Sequence, residues 1–214
     1  MNNTPLKYIL LDWDGCLANT LPIWMESYQH AFSKNGMYKS ENEIVQNAFG
    51  RWDGPKRMGV ANNEKFIIKL LEEVDTKLPT APLHKNVKEV LQELKAKGYN
   101  LGLVTTSLRK SVTPALKFHD IYKLFTSILG KEDVTNYKPD PEIIFKSLQI
   151  MQGDLNETII VGDSDKDIKA GQNAKIKTCV FYPKENERFY KVEEVKSWNA
   201  DHIIQDFRSV LTFL

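Results

Sequence analysis

Two clusters of carboxylates follow apolar runs, and both have residue types suited to work on a phosphoryl group. The first is Asp12-Trp13-Asp14-Gly15, directly after Tyr8-Ile-Leu-Leu; the second is Gly162-Asp163-Ser164-Asp165-Lys166-Asp167, directly after Thr158-Ile-Ile-Val. In a parallel sheet the carboxyl ends of the strands open onto the ligand crevice, so acids at 12 and 14 would share one rim of it. Gly15 permits a sharp bend behind them. Acidic and serine residues in the second cluster would cap a helix N-terminus, but Asp163, Asp165 and Asp167 together exceed what capping needs. If Asp163 lies near Asp12, mutual repulsion raises both carboxyl pKa values unless a cation is bound. A hard, oxygen-preferring ion such as Mg2+ meets that need and can also take phosphate oxygens as ligands.

Two further pieces fit the same chemistry. Thr105-Thr106-Ser107 places hydroxyls and free amides at the end of another apolar run, and Lys138 lies in Tyr137-Lys138-Pro139-Asp140-Pro141. Hydroxyl, backbone amide and ammonium together are the equipment for holding the equatorial oxygens of a transferring phosphoryl group. The two prolines stiffen the approach to the next helix and so fix the direction of Lys138.

The elements that must position these residues are legible as runs and periods. Residues 8–12, 100–105, 123–129 and 158–162 are continuous apolar runs, with weaker ones at 177–181 and 202–204. Continuous rather than alternating hydrophobicity predicts strands buried on both faces. Helical patterns lie between them over 87–97, 111–118, 141–151 and 165–173, and Gly98 follows the first of these as a C-cap. Alternation of this kind predicts an α/β fold: a three-layer, Rossmann-like parallel sheet with helices on both sides, made of residues 1–20 and 83–214. Residues 21–82 break the rhythm. They have no convincing strand, but helical patterns at 23–33, 41–49 and 64–74 predict an inserted α-helical domain.

Composition narrows the partners. Twenty-nine Lys and Arg against 28 Asp and Glu leave a formal charge of +1 over 214 residues. That balance argues against nucleic acid or an anionic membrane as the partner, since both call for a broad basic face. Two cysteines, Cys16 and Cys179, make no disulfide framework. The polar N-terminus and its short apolar run do not form a signal segment, and no stretch reaches the ~20 apolar residues that span a bilayer. The expectation is a cytoplasmic protein. The charged segment 184–196 reads as a solvated surface helix or loop.

In their order and spacing the four pieces resemble the motifs of the haloacid dehalogenase superfamily of phosphotransferases. Asp12-x-Asp14-Gly15 resembles its first motif, Thr105 its second, Lys138 its third, and Gly162-Asp163-Ser164-x-x-Asp167 its fourth. The insertion resembles the helical cap of the phosphoglycolate phosphatase and beta-phosphoglucomutase branch. The resemblance implies that Asp12 attacks phosphorus to give an aspartyl-phosphate, and that Asp14 protonates the leaving alcohol and then takes a proton from water. It implies Mg2+ held by the Asp12 carboxylate, the Asp14 backbone carbonyl and Asp163. Thr105, Lys138 and the amides of Trp13, Thr106 and Ser107 would hold the phosphoryl oxygens, and Asp167 would orient Lys138 or metal-bound water.

Cys16 stands where the family usually has threonine, and Asn19 where aspartate is frequent in this branch; neither position carries the core mechanism. Asp14 favours phosphate over haloacid substrates, since the true dehalogenases lack it. The leading expectation is a Mg2+-dependent phosphatase of a small phosphorylated metabolite, phosphoglycolate-like, acting as a monomer or weak homodimer. The alternatives are a phosphosugar mutase and a non-catalytic binding protein on the same scaffold. In the cap, Arg51, Trp52, Lys56 and Arg57 are candidates to meet a second anionic group of the substrate, with Arg51 the first choice. Histidines 30, 84, 119 and 202 have no ligand spacing and read as structural or exposed.

Overall fold

A computed structural model describes residues 5–214. The first four residues, which the sequence reading assigns to the sheet domain, lie outside the described residues. The chain divides into two compact units, one formed by the chain up to Asn19 with Pro82–Leu214, the other by Thr20–Ala81.

The first unit is built on strands β1 (Tyr8–Leu11), β2 (Asn100–Val104), β3 (Phe125–Leu129), β4 (Thr158–Gly162), β5 (Lys177–Phe181) and β6 (His202–Ile204). All pairings are parallel and the order is β3-β2-β1-β4-β5-β6. The chain therefore builds outward from β1 to one side and then returns to build outward on the other. This reversal at β1 and β4 is the switch point at which α/β sheets open a crevice. Leu11 lies opposite both Leu103 and Val161, so the three loops that leave these strands start at one level.

Burial explains why the strand sequences do not alternate. Ile9 and Leu11 pack on one face with Val87, Leu91, Val112 and Leu116, while Leu10 packs on the other with Ile143, Ile144, Leu148 and Ala170. Within this unit the helices that supply those faces are Val87–Ala96, Arg109–Phe118, Glu142–Met151 and Asp165–Asn173; Val192–Ser197 adds a short one near the C-terminus. With both faces covered, the central strands β1 and β4 are apolar between their rims, whereas the edge strand β3 carries Thr126 and Ser127.

The second unit is helical. Leu21–Lys34, Glu41–Asn47, Gly54–Arg57 and Asn63–Lys77 are its helices. Met25, Tyr28, Phe32, Ile44, Phe66, Leu70 and Val74 are buried. The rings of Phe32 and Phe66 lie 4.8 Å apart, in the range of favourable tilted aromatic pairs. Ser40 and Glu43 form a reciprocal capping box at the start of the second helix, satisfying amides that the first turn leaves without partners. The helix at Gly54–Arg57 was not anticipated from sequence: at four residues it is too short for a period, and Pro55 fits its first turn.

Candidate active site

The site is assembled at the carboxyl ends of β1, β2 and β4. The Asp12 amide donates to the Val161 carbonyl at 3.0 Å, carrying the ladder one residue beyond β1 and fixing where Asp12 leaves the sheet. The chain then turns back on itself. The Trp13 carbonyl accepts from the Leu17 and Ala18 amides, and the Gly15 amide donates to the Ala18 carbonyl at 2.9 Å. Gly15 closes this loop at φ +73°, a conformation that costs a residue with a Cβ.

Three carboxylates meet here. One oxygen from each of Asp12, Asp163 and Asp167 lies within 4.8 Å of the other two, and all three residues are buried. The sequence reading expected 12, 14 and 163 to face a common cation, with 167 behind them. The Asp14 side chain is instead outside the group, its Oδ2 accepting from the Ser107 hydroxyl at 2.6 Å.

Lys138 bridges two of these acids, Asp12 and Asp167. Its Nζ donates to Asp12 Oδ1 at 2.7 Å, to the Val104 carbonyl at 3.0 Å, and to Asp167 Oδ1. All three protons of the ammonium therefore have a partner, as a buried cation requires. Burial disfavours the charge, yet the two carboxylates outweigh it and hold Lys138 above its usual value. Asp167 is saturated, because its Oδ2 also accepts from the Ser164 hydroxyl and amide in a capping box at the start of helix 165–173. A Cβ at Gly162 would overlap the Asp167 carboxyl, which explains the glycine at that position. Asp167 thus acts through Lys138.

Asp163 is different. Its Oδ2 is buried and has no hydrogen-bond partner. Burial first, then the charges of Asp167 and Asp12, hold its carboxyl well above the ordinary carboxylate range. Asp12 is pushed up to about 7 by burial, with Lys138 pulling the other way. An unpartnered buried carboxylate oxygen beside two further carboxylates is what a hard divalent cation would complete, so the donor set fits Mg2+ in type.

The remaining residues divide. Thr105 is buried, and its Oγ1 accepts from the Ser107 amide at 3.1 Å. The sequence reading gave that amide to phosphoryl oxygens; in the structure Thr105 holds it, and the Ser107 hydroxyl is held by Asp14. Thr106 is exposed at the tip of the same loop. The Trp13 side chain belongs to the core, with its Nε1 unpartnered. Asp165 faces outward and pairs with Lys169 at 2.7 Å, an ordinary helix-surface pair. Cys16 is fully buried, and burial pushes its thiol well up, which makes it inert rather than reactive. In the helical unit Arg51 and Lys56 are exposed, and Arg57 pairs with Asp53 at 2.5 Å.

Two buried residues stand behind the loop after β1: Asn186, which sequence reasoning did not single out, and His84, which it read as structural or exposed. Asn186 is fully buried and donates through Nδ2 to the Gly15 carbonyl at 3.0 Å, from 171 residues away. His84 is buried, with its ring also hydrogen-bonded to the Gly15 main chain. Segment 184–196, expected to be solvated, is thus partly inside: Asn186, Phe189 and Val195 are buried. A run of charge hides such inward residues because a 3-10 turn at Lys184–Arg188 and a six-residue helix offer too few periods to reveal a face.

Among the described residues, no helix is long and apolar enough to cross a membrane. The family model described as haloacid dehalogenase-like hydrolase matches residues 9–181. A protein of Bacillus cereus named pyrophosphatase PpaX is 32% identical over 187 residues, covering 81% of this chain and 82% of its own. Two solved structures share the fold over nearly the whole of both chains. One, named a predicted phosphoglycolate phosphatase, is from Haemophilus somnus, with a TM-score of 0.80 at 24% identity, covering 98% of each chain. The other is a HAD family hydrolase of Deinococcus radiodurans with bound phosphate and sodium, with a TM-score of 0.80 at 18% identity, covering 97% of this chain and 96% of that one. The match to the family model spans both carboxylate clusters, the threonine loop and the buried lysine, and the chain belongs to the haloacid dehalogenase-like hydrolases.

Proposed function

We propose that the protein is a Mg2+-dependent phosphatase that hydrolyses a small phosphorylated metabolite through an aspartyl-phosphate on Asp12. The observation that carries this reading is the buried group of Asp12, Asp163 and Asp167, with Lys138 bridging Asp12 and Asp167 and one oxygen of Asp163 lacking any partner.

In the first step the Asp12 carboxylate attacks phosphorus, the bond from phosphorus to the leaving oxygen breaks, and Asp14 gives that oxygen its proton. In the second, Asp14 takes a proton from water as the water oxygen attacks the aspartyl-phosphate, releasing inorganic phosphate and restoring the Asp12 carboxylate. Lys138 steadies Asp12 for attack and then offers positive charge to the phosphoryl oxygens, while Thr105 and the Trp13 and Thr106 amides hold the others. Asp167 keeps the Lys138 ammonium in place. Mg2+, when bound by the Asp12 carboxylate, the Asp14 backbone carbonyl and Asp163, would neutralise the approach of an anionic nucleophile to an anionic phosphate. Residues 21–82 serve as the cap that selects the substrate, with Arg51 meeting its second anionic group. Phosphoglycolate is the first candidate.

A second substrate reading rests on the relatives named pyrophosphatase, one of them 32% identical to this chain. Pyrophosphate presents the same phosphoryl group with phosphate as the leaving group, so the roles above are unchanged. Turnover of phosphoglycolate and of pyrophosphate, each with and without Mg2+, separates the two substrates. Asp12→Asn should abolish hydrolysis of either while circular dichroism stays native. Retained turnover in that variant would overturn the mechanism.

A further inference from the structure

The loop between Asp12 and Ala18 is gripped from behind. The Gly15 carbonyl accepts from Asn186 Nδ2 at 3.0 Å and hydrogen-bonds with the His84 ring. Nε2 of His84 is buried without a partner, so the ring reaches Gly15 through Nδ1. A carbonyl oxygen has two lone pairs, and two buried donors from distant parts of the chain take both.

Both donors are themselves fixed. The Asn186 amide donates to the Pro183 carbonyl, and the Asn186 carbonyl accepts from the Phe189 and Tyr190 amides. The His84 amide donates to the Leu17 carbonyl at 3.0 Å, and the ring meets Phe181 edge-on with centroids 5.1 Å apart. Neither residue is a comfortable choice for packing alone. Asn186 leaves Oδ1 buried and unpartnered, as His84 leaves Nε2, and each such orphan costs stability that an apolar residue of the same shape would avoid. The Gly15 amide is tied to Ala18 on the other side. The amide bond holds the peptide plane that follows Asp14 and the carbonyl bonds hold the next one, so Gly15 cannot swivel between them and the main chain leaving Asp14 is fixed.

We propose that His84 and Asn186 are positioning residues that clamp the Gly15 carbonyl and thereby fix the main chain at Asp14. The inference rests on the phosphatase reading for its kinetic consequence, but the clamp itself has a readout that does not. The variants are His84→Phe and Asn186→Leu, which keep ring and branch shape while removing the donor. Each should be as stable as wild type or more so in urea, because a buried orphan goes with the donor. In each, hydrogen exchange of the amides over 12–18 should quicken about tenfold while those of β4 do not change. With p-nitrophenyl phosphate and Mg2+, kcat should fall about 10-fold in each variant and about 100-fold in the double variant, with KM within about twofold, since displaced catalytic groups lose rate before binding. His84→Gln, which retains a donor, should restore at least half of the lost kcat.

Unchanged exchange over 12–18 in either folded variant overturns the clamp. Unchanged kcat in the double variant, when wild type is active, overturns it as well. A wild type that hydrolyses no phosphate compound, with the loop loosened in both variants, instead supports the clamp and removes the phosphatase reading. If Asn186→Leu fails to fold, His84→Phe decides by the same two criteria.

Discussion

Charge is used in opposite ways in the two units of this chain. In the sheet unit Lys138, Asp12 and Asp167 are buried together, and every proton of the ammonium has an acceptor. In the helical unit Arg57 and Asp53 pair in the open, both more than half exposed. The first arrangement is held by the end of β2, the loop after β1 and the helix after β4; the second by two side chains one helical turn apart. Coulomb attraction is weak where water screens it and strong where water is excluded, but exclusion also makes every missing partner expensive. The lesson is that a charge in the buried Lys138 group cannot be removed without disturbing the others, whereas the open Arg57–Asp53 pair can lose a member at little cost.

The largest test of this contrast is Lys138→Ala. It leaves two buried carboxylates facing each other, and unfolding in urea should register a loss of about 3–5 kcal/mol at neutral pH. Turnover should disappear with it. A loss below about 1 kcal/mol would mean that the interior group is as loosely coupled as a surface pair.

Asp163→Asn comes next and should act in the reverse direction. With its carboxyl held well above the ordinary range, Asp163 binds a proton in the folded chain that the unfolded chain has released. The sign follows: metal-free wild type loses stability as pH rises past the ordinary carboxylate value near 3.8. The asparagine variant should lack that decline and be more stable by about 1–3 kcal/mol at pH 7 without metal. Mg2+ at about 100 times its Kd should raise wild-type stability by ~2.7 kcal/mol, and that gain should vanish in the variant. Thermal melts with and without Mg2+ measure both.

Glu142→Gln probes an exposed clamp beside the Lys138 loop. The Glu142 carboxylate pairs with Lys146 at 2.7 Å and accepts from the Thr135 and Asn136 amides. These contacts, Lys146 first, lower its pKa from 4.5 to about 2. A depressed carboxyl stabilises the fold above its unfolded value and loses that contribution as pH falls through the folded one. Wild type and variant should therefore converge near pH 2 and separate above pH 4.5, read as urea midpoints across that range. Arg57→Ala is the smallest effect, expected within about 0.5 kcal/mol of wild type because an exposed pair is mostly screened.

What was legible in the sequence follows the same division. All six strands were readable, the central ones because a strand covered on both faces is an unbroken apolar run, the edge strands β3 and β6 as shorter or interrupted runs, and the acids beyond β1 and β4 stood where such runs stop. The partition among those acids was not. Asp167 stands against Lys138 as expected, but it also joins Asp12 and Asp163 in one carboxylate group while the Asp14 side chain turns to the Ser107 hydroxyl, and such partners leave no trace in local spacing. Asn186 was missed for the same reason, and His84 was read as structural or exposed without its partner. A single inward residue in a charged turn has no period, and its partner Gly15 lies far away along the chain. Where neighbours in sequence determine the outcome, reading works; where a distant donor does, only the folded chain reveals it.

Gly162 carries a consequence out of proportion to its size. The space beside its α-carbon is filled by the Asp167 carboxyl, so adding one methyl group there would push that carboxyl away from Lys138, and the ammonium would in turn slacken its hold on Asp12. A substitution that alters neither charge nor polarity would thus travel through Asp167 and Lys138 to Asp12. Natural variation at this position should be narrower than at the acids' half-buried neighbour Asp165, which pairs with Lys169 on the helix surface.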